Sequence, residues 1–352
     1  MKIVFTGGGT AGHVIPNLAI IAELRKIAGH AQIFYIGSKS GVERELVEKI
    51  GVKFFPIETG KLRRYFDWQN AVDAVRIPVG VIQSIHRLVR IKPDIVFSKG
   101  GFVSVPVALA ATILRIPLVI HESDLSPGLA TRLTSRFAQK ICLSFPITQP
   151  GKKIQITGNP IRSGGDAARG KRFLKFANQK PFVLISGGSS GATFLNTLLE
   201  KSLFVLAHKV NIVWLTGRGK LPEIEALENV RIFEYLDAEY LDVLAAADLV
   251  VSRAGANALF EIAAAGRPSV LIPLPAKSSR GDQAENAHFF EQNGAAMVLS
   301  QESAKPHDFT KLVVWLLGDE SRLAKIGAAA QKLAPIGAAE RIAKIILDVA
   351  NK

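Results

Sequence analysis

The sequence is poor in cysteine, in acidic residues and in long apolar runs. Its 352 residues include one cysteine, Cys142, within the apolar stretch "KICLSF". A single thiol excludes an internal disulfide and any zinc site built from several cysteines, and it reads as a small buried hydrophobe. It fits a reducing, cytoplasmic setting. Mean hydropathy is +0.23, yet no run reaches the roughly 18 apolar residues of a membrane span. The first strand carries Lys2 and meets glycines at once. That apolar stretch is too short for a secretory signal.

Acidic residues number 30 against 44 Lys and Arg, a net charge of +14. Residues 1–161 hold 21 of the basic and 10 of the acidic side chains, so +11 of the excess lies there and +3 in the rest. A basic first half suits an anionic metabolite or an anionic membrane surface. No RNP-like motif, zinc-finger spacing or basic heptad region occurs, so no nucleic acid partner is expected.

What the chain has is alternation. Short β-branched runs ("KIVFT", "QIFYIG", "KFFPI", "DIVFS", "PLVIHE", "KICLS", then "PFVLIS", "VNIVWL", "VRIFEY", "DLVVS", "PSVLIP") alternate with helical segments near 14–28, 41–49, 104–114, 191–208, 256–265 and 282–293. Unbroken apolar strands between helices imply parallel sheets covered on both faces. A chain of this length exceeds one core. Each half opens on a strand and a glycine-rich turn, Gly7–Gly12 and Gly187–Gly191. The expected fold class is therefore α/β, with two Rossmann-like domains facing across a cleft. The first spans 1–161 and the second 162–334, with a linker near 156–170. The closing segment 335–352 carries apolar positions at Ile342, Ile345, Ile346 and Val349, a helix expected to pack back on the first domain.

"FTGGGTAGHVIP" contains G-x-G-x-x-G as Gly7, Gly9 and Gly12. A dinucleotide site also wants a carboxylate at the end of the second strand. That strand ends in Gly37, Ser38 and Lys39, so the dinucleotide reading loses its main support. What remains is a loop whose backbone can approach an anion at a helix N-terminus. His13 lies in the first helical turn, where the dipole favours a neutral imidazole able to take a proton. The alternative is a histidine that caps or packs. "SKGGFVSVP" offers a second loop, Gly100 and Gly101. In "HESDLSPGLA", His121, Glu122 and Asp124 stand at a strand end, where polar groups usually face a cleft. They could instead belong to a capping loop, with Ser126 as N-cap and Pro127 opening a helix. In the second half, Ser189 sits at a helix start. Glu261 lies within a helix that follows Gly255, placed to accept two ribose hydroxyls. Asp282, Gln283 and Asn286 cluster at a strand exit, suited to a sugar or to a solvated loop.

Seven stretches stand in order: "GGGTAGHVIPNLAI", "FSKGGFVSVPVALAA", "HESDLSPGLA", "TGNPIR", "GGSSGATFLN", "SRAGANALFEIAAAGRPSVLIPLP" and "GDQAENA". Together they resemble the MurG family, peptidoglycan N-acetylglucosaminyltransferases of the GT-B fold, over nearly the whole chain. The resemblance implies transfer of GlcNAc from a UDP-GlcNAc donor to the muramoyl 4-hydroxyl of lipid I, a lipid-linked muramoyl-pentapeptide acceptor, with inversion. It implies donor contacts at Arg162, Ser189, Leu236 (through its backbone), Ala256, Asn257, Ala258, Glu261, Asp282 and Gln283. It implies acceptor contacts at Thr10, Ala11, Gly12, Gly100, Gly101 and Asp124, with His13 as the base. Asp124 stands where some members carry asparagine, Ser190 where they carry glutamine, and Asp282 where they carry a second glutamine. Whether His13 or Asp124 is the base stays open.

No Asp-x-Asp occurs. Arg162 and helix N-termini are expected to stabilise the leaving diphosphate without a metal, and no cofactor is expected. The stretch 61–92 mixes Leu62, Tyr65, Phe66, Trp68, Ile77 and Val79 with Arg63, Arg64, Arg76, Arg87 and Arg90. It is expected to rest on the anionic cytoplasmic face of the inner membrane, peripherally, near other cell-wall synthesis proteins. The alternative is a core-packed helix with a solvated basic face. Three other functions fit less well: a GT-B enzyme with another lipid acceptor such as diacylglycerol, a UDP-GlcNAc 2-epimerase, and a non-catalytic UDP-sugar-binding membrane adaptor.

Overall fold

A computed structural model describes residues 1–60, 69–146, 151–162, 164–188, 191–275 and 280–352. The chain divides into two compact units, Met1–Ile161 with Gly337–Lys352, and Arg162–Ile336.

In the first unit the apolar runs become β1 (Lys2–Thr6), β2 (Gln32–Ser38), β3 (Lys53–Ile57), β4 (Ile95–Ser98), β5 (Leu118–Glu122), β6 (Lys140–Leu143) and β7 (Ile154–Ile156). They form one sheet in the order β3-β2-β1-β4-β5-β6-β7, every described pairing parallel. In the second unit β8 (Phe182–Ser186), β9 (Asn211–Leu215), β10 (Val230–Phe233), β11 (Leu249–Ser252), β12 (Ser269–Leu271) and β13 (Met297–Val298) form a second parallel sheet, β10-β9-β8-β11-β12-β13. The strands nearest each centre are buried on both faces, which is why they read as unbroken apolar runs. The strand order reverses between β1 and β4 and again between β8 and β11. Ligands of open α/β sheets bind at such switch points, outside the carboxyl ends of the strands.

Helices α1 (Ala11–Ile27), α2 (Glu43–Lys49), α3 (Gln69–Ile91), α4 (Ser104–Ile113) and α5 (Leu129–Thr134) cover the first sheet. Helices α6 (Ala167–Leu174), α7 (Thr193–Ala207), α8 (Tyr240–Ala246), α9 (Ala256–Ala264), α10 (Asp282–Gln292), α11 (Pro306–Leu317) and α12 (Glu320–Leu333) belong to the second unit. The closing helix α13 (Ala338–Ala350) returns to the first. Its Ile342, Ala343 and Ile346 are fully buried in one core cluster with Phe5, Ile20, Leu24 and Phe97. Arg341 fixes the return by donating through Nε and Nη2 to the Thr157 carbonyl, at 3.1 and 2.7 Å.

The two glycine turns are anchored alike. On α1, Asn17 Nδ2 donates to the Thr6 carbonyl (3.3 Å) and to Tyr35 Oη (2.9 Å), while Tyr35 donates to the Gly7 carbonyl. On α7, Asn196 Nδ2 donates to the Thr216 carbonyl (2.9 Å) and its Oδ1 accepts from Trp214 Nε1 (3.1 Å). Each asparagine ties the helix that follows its glycine turn to the switch-point edge. Burial pushes the Tyr35 hydroxyl well above its usual pKa, so it stays a neutral donor. Cys142 is fully buried and its thiol is pushed up to about 12 by burial.

On α3, Ser84, Leu88 and Ile91 turn inward, and Ser84 Oγ donates to the Gly80 carbonyl (2.7 Å). The outward positions Val75, Val79, Ile82 and Val89 are exposed, Val75 at 66% and Ile82 at 68%. They follow helical spacing and lie beside Arg76, His86 and Arg90, which are also exposed. Leu62, Arg63, Arg64, Tyr65, Phe66 and Trp68 lie outside the described residues. Among the described residues no helix is long and apolar enough to cross a membrane.

Candidate active site

The edge of the first unit is built from three loops. Thr10 is the N-cap residue of α1, but its side chain makes no capping bond. Its Oγ1 lies 3.0 Å from His13 Nδ1 instead. The His13 ring lies close to Gly101 of the second loop. A Cβ on Gly101 would stand 3.4 Å from the ring and 2.6 Å from the Gly8 carbonyl, at φ +78°, so only glycine brings this turn under the imidazole. The carboxylate that the end of β2 lacks comes from α2. Glu43 is fully buried and accepts from Ser38 N (2.9 Å) and Ser38 Oγ (2.6 Å), with Gly9 N at 3.5 Å. Its bonds point into the protein, supporting the glycine loop.

The third loop follows β5, and there the structure corrects two expectations. His121 does not face outward. It is 1% exposed, with Nε2 3.2 Å from the Gly158 carbonyl, and burial followed by the nearby Lys99 charge holds its pKa well below the usual value. Nor does Ser126 cap a helix starting at Pro127. The helix starts at Leu129 with Gly128 as N-cap. The acceptor is Glu122, which takes Ser123 N (2.9 Å), Asp124 N (3.2 Å), Gly128 N (2.9 Å) and Thr131 Oγ1 (2.5 Å). Four donors on one carboxylate fold the turn and leave Asp124 as its partly exposed acid. Lys99, at the end of β4, is 2% exposed and donates to Ser123 Oγ.

The edge of the second unit carries the other candidates. Arg162 Nε pairs with Glu261 Oε1 at 3.2 Å, and the guanidinium lies 5.2 Å from the centre of the Tyr240 ring. Glu261, on α9, is 7% exposed. Burial pushes its pKa up and the Arg162 charge and hydrogen bond pull it partly back. Ala256, Asn257 and Ala258 form the first turn of α9 behind Gly255, whose N-cap position has no side-chain acceptor. Leu236 puts its side chain into the core cluster beneath β10, leaving its backbone at the loop. At the start of α10, Asp282 pairs with Arg280 (2.9 Å) and Gln283 Oε1 accepts from Leu274 N (3.1 Å). Asn286 is fully buried and donates to the Ala254 carbonyl, so it braces the turn. At Gly191, φ is +66° and a Cβ would stand 2.2 Å from the Thr216 carbonyl, so glycine alone lets this turn pass β9. Ser189 and Ser190 lie outside the described residues. The structure thus joins Arg162 to Glu261, places His13 over Gly101, and sets Asp124 on the Glu122 turn.

The glycosyltransferase family 28 N-terminal domain matches residues 3–143, and its C-terminal domain matches residues 182–342. A curated protein of Clostridium botulinum (strain Kyoto / Type A2) is 45% identical over 322 residues, 90% of each chain. It is named UDP-N-acetylglucosamine--N-acetylmuramyl-(pentapeptide) pyrophosphoryl-undecaprenol N-acetylglucosamine transferase. One of Clostridium perfringens (strain SM101 / Type A), with the same name, is 44% identical over 86% of each chain. This chain belongs to their family, the MurG transferases. A crystal structure of Acinetobacter baumannii MurG shares the fold at a TM-score of 0.77 and 24% identity, covering 99% of both chains.

Three residues of this MurG-family chain were not singled out by sequence reasoning. Glu43 lies 34 positions from the loop it supports. Lys99 follows a strand, where a lysine ordinarily reads as exposed. Arg253, at the end of β11, is 6% exposed and gives Nη1 to the carbonyls of Ile272 (2.9 Å) and Pro273 (3.1 Å). The one available signal was position, since Lys99 and Arg253 each directly follow a strand at the switch point.

Proposed function

We propose that this chain moves GlcNAc from UDP-GlcNAc to the muramoyl 4-hydroxyl of lipid I, giving lipid II with inversion. The observation that carries the reading is 45% identity over 90% of the chain to a transferase of that name. The acceptor oxygen attacks C1 of GlcNAc, the bond from C1 to the diphosphate breaks, and the hydroxyl proton passes to a base. His13 is that base. If Thr10 Oγ1 accepts from Nδ1–H, the tautomer leaves Nε2 to take the proton. Asp124 orients the acceptor sugar beside it. General base catalysis of this kind contributes roughly 10²–10⁴-fold.

Departing UDP gains negative charge. Arg162, Ser189 and the N-terminal turns of α7 and α9 stabilise it. Glu261 accepts the ribose hydroxyls, the Leu236 backbone meets uracil, Ala256, Asn257 and Ala258 line the phosphates, and Asp282 and Gln283 read GlcNAc. Thr10, Ala11, Gly12, Gly100 and Gly101 receive the acceptor diphosphate. The exposed stripe of α3 with its arginines rests on an anionic membrane surface, where each basic residue adds about 1 kcal/mol. Product analysis with a lipid I analogue and with diacylglycerol as acceptors tests the reading. Transfer to the lipid I analogue alone is expected, and it persists in EDTA. Transfer to diacylglycerol, epimerisation of the donor, or binding without turnover refutes it.

A further inference from the structure

A buried lysine is costly to keep. An ammonium loses its hydration on burial, and a methionine of similar length fills the same volume without that cost. Lys99 is nonetheless 2% exposed. Its Cβ would lie 3.0 Å from a Cβ on Gly7, so the side chain starts beneath the first glycine loop. It ends at the third, donating to Ser123 Oγ. Ser123 in turn donates to Asn159 Oδ1 at 3.3 Å. One side chain therefore runs from the loop that leads to His13 to the turn that presents Asp124.

The titratable groups around the ammonium are His121 on β5 and Glu122 and Asp124 at its end. The loop after β1 brings Gly7 against the Lys99 Cβ, and from the segment after β7 the neutral Asn159 reaches it through Ser123. Glu122 accepts from four donors, and His121 is held neutral by burial. Lys99 faces both Glu122 and Asp124, and the Ser123 it holds is the chain neighbour of Asp124. Burial pulls the ammonium down to about 8, and Glu122 and Asp124 oppose that fall. An anionic ligand would have to enter a spot already facing two carboxylates, so Lys99 serves the turn and not a phosphate.

We propose that Lys99 is a positioning residue for the transfer: its ammonium, sealed between the first glycine loop and the 121–124 turn, fixes Ser123 and holds Asp124 as an oriented carboxylate. This deepens the transferase reading and rests on it.

The test is Lys99→Met in the full chain, read by kcat on either side of pH 8, by donor affinity and by melting temperature. Wild type loses kcat as pH rises through about 8, where the ammonium gives up its proton. Lys99→Met has kcat lowered about tenfold below that pH, no further loss above it, and donor affinity within about twofold of wild type. Unchanged kcat, or the wild-type decline persisting in the variant, overturns the inference. So does a uniform fall in kcat and donor affinity with a lower melting temperature, the mark of a merely structural lysine. If Lys99→Met does not fold, Ser123→Ala carries the test: lowered kcat at unchanged donor affinity supports the inference, and wild-type kcat overturns it. Absence of transfer by wild type overturns the reading of function itself, whereas transfer by wild type with an unaffected variant overturns only the role of Lys99.

Discussion

Replacing Glu261 with glutamine should leave the fold intact and cost most of the donor affinity. Glu261 is 7% exposed, and its partner is Arg162, 3.2 Å away. The Arg162 side chain is 30% exposed, so it can turn to water when the carboxylate goes. Glutamine keeps the volume and removes a charge that burial disfavours, so the stability change stays within about 1 kcal/mol. Binding is different. Two ribose hydroxyls donating to a carboxylate contribute about 1.5–3 kcal/mol each, and an amide oxygen replaces one of them at neutral strength. The loss is about 2–4 kcal/mol, or about 30- to 1000-fold in Kd. Titration calorimetry with UDP-GlcNAc and its 2′-deoxyribose analogue measures this directly. Wild type should discriminate strongly between the two donors, and Glu261→Gln much less. Near wild-type affinity in the variant, or discrimination as strong as that of wild type, would refute the ribose assignment. The pH dependence has a definite sign. The folded pKa of Glu261 lies above its ordinary value, so the folded state takes up the proton first. Falling pH therefore lowers donor affinity without lowering stability through this group, and the glutamine variant loses that dependence.

Other outcomes follow from the same geometry. Ile346→Ala, in the fully buried face of α13, should destabilise the first unit by about 2–5 kcal/mol in chemical unfolding, and a smaller effect would mean that α13 is not part of that core. The Lys99 ammonium, held at about 8 against 10.5, favours the unfolded state below pH 8 and ceases to do so as pH rises toward 10.5. The stability of wild type relative to Lys99→Met should therefore rise across that interval by up to about 3 kcal/mol, and a flat difference would contradict the buried charge. Ile82→Glu, at 68% exposure on α3, should weaken binding to anionic vesicles without changing donor affinity. Unchanged vesicle binding would count against that face.

The parallel sheets were legible because their strands are buried on both sides and read as continuous apolar runs. β7 and β13 were not, because strands of three and two residues at sheet edges are too short and too little buried to leave a pattern. The cap of α5 misled for a different reason. Ser126 and Pro127 form a good local helix start, but Glu122 draws four donors to itself and moves the start to Leu129. Tertiary bonding overrode local preference. Glu43 and Lys99 escaped notice on the same ground, since each acts on a loop distant in sequence. The helix positions of His13 and Glu261 were legible because a glycine turn followed by a helix fixes where its first turns lie, and Arg162 was singled out only through the resemblance of its "GNPIR" stretch.

The most direct test of the account is transfer of radiolabelled GlcNAc from UDP-GlcNAc to a lipid I analogue by wild type, His13→Ala and Glu261→Ala, with donor affinity measured on each. The account predicts product from wild type, donor binding without appreciable transfer from His13→Ala, and transfer from Glu261→Ala only at greatly raised donor concentration. Full activity in His13→Ala, or loss of donor binding in it, would contradict the division of labour between the two glycine-lined edges.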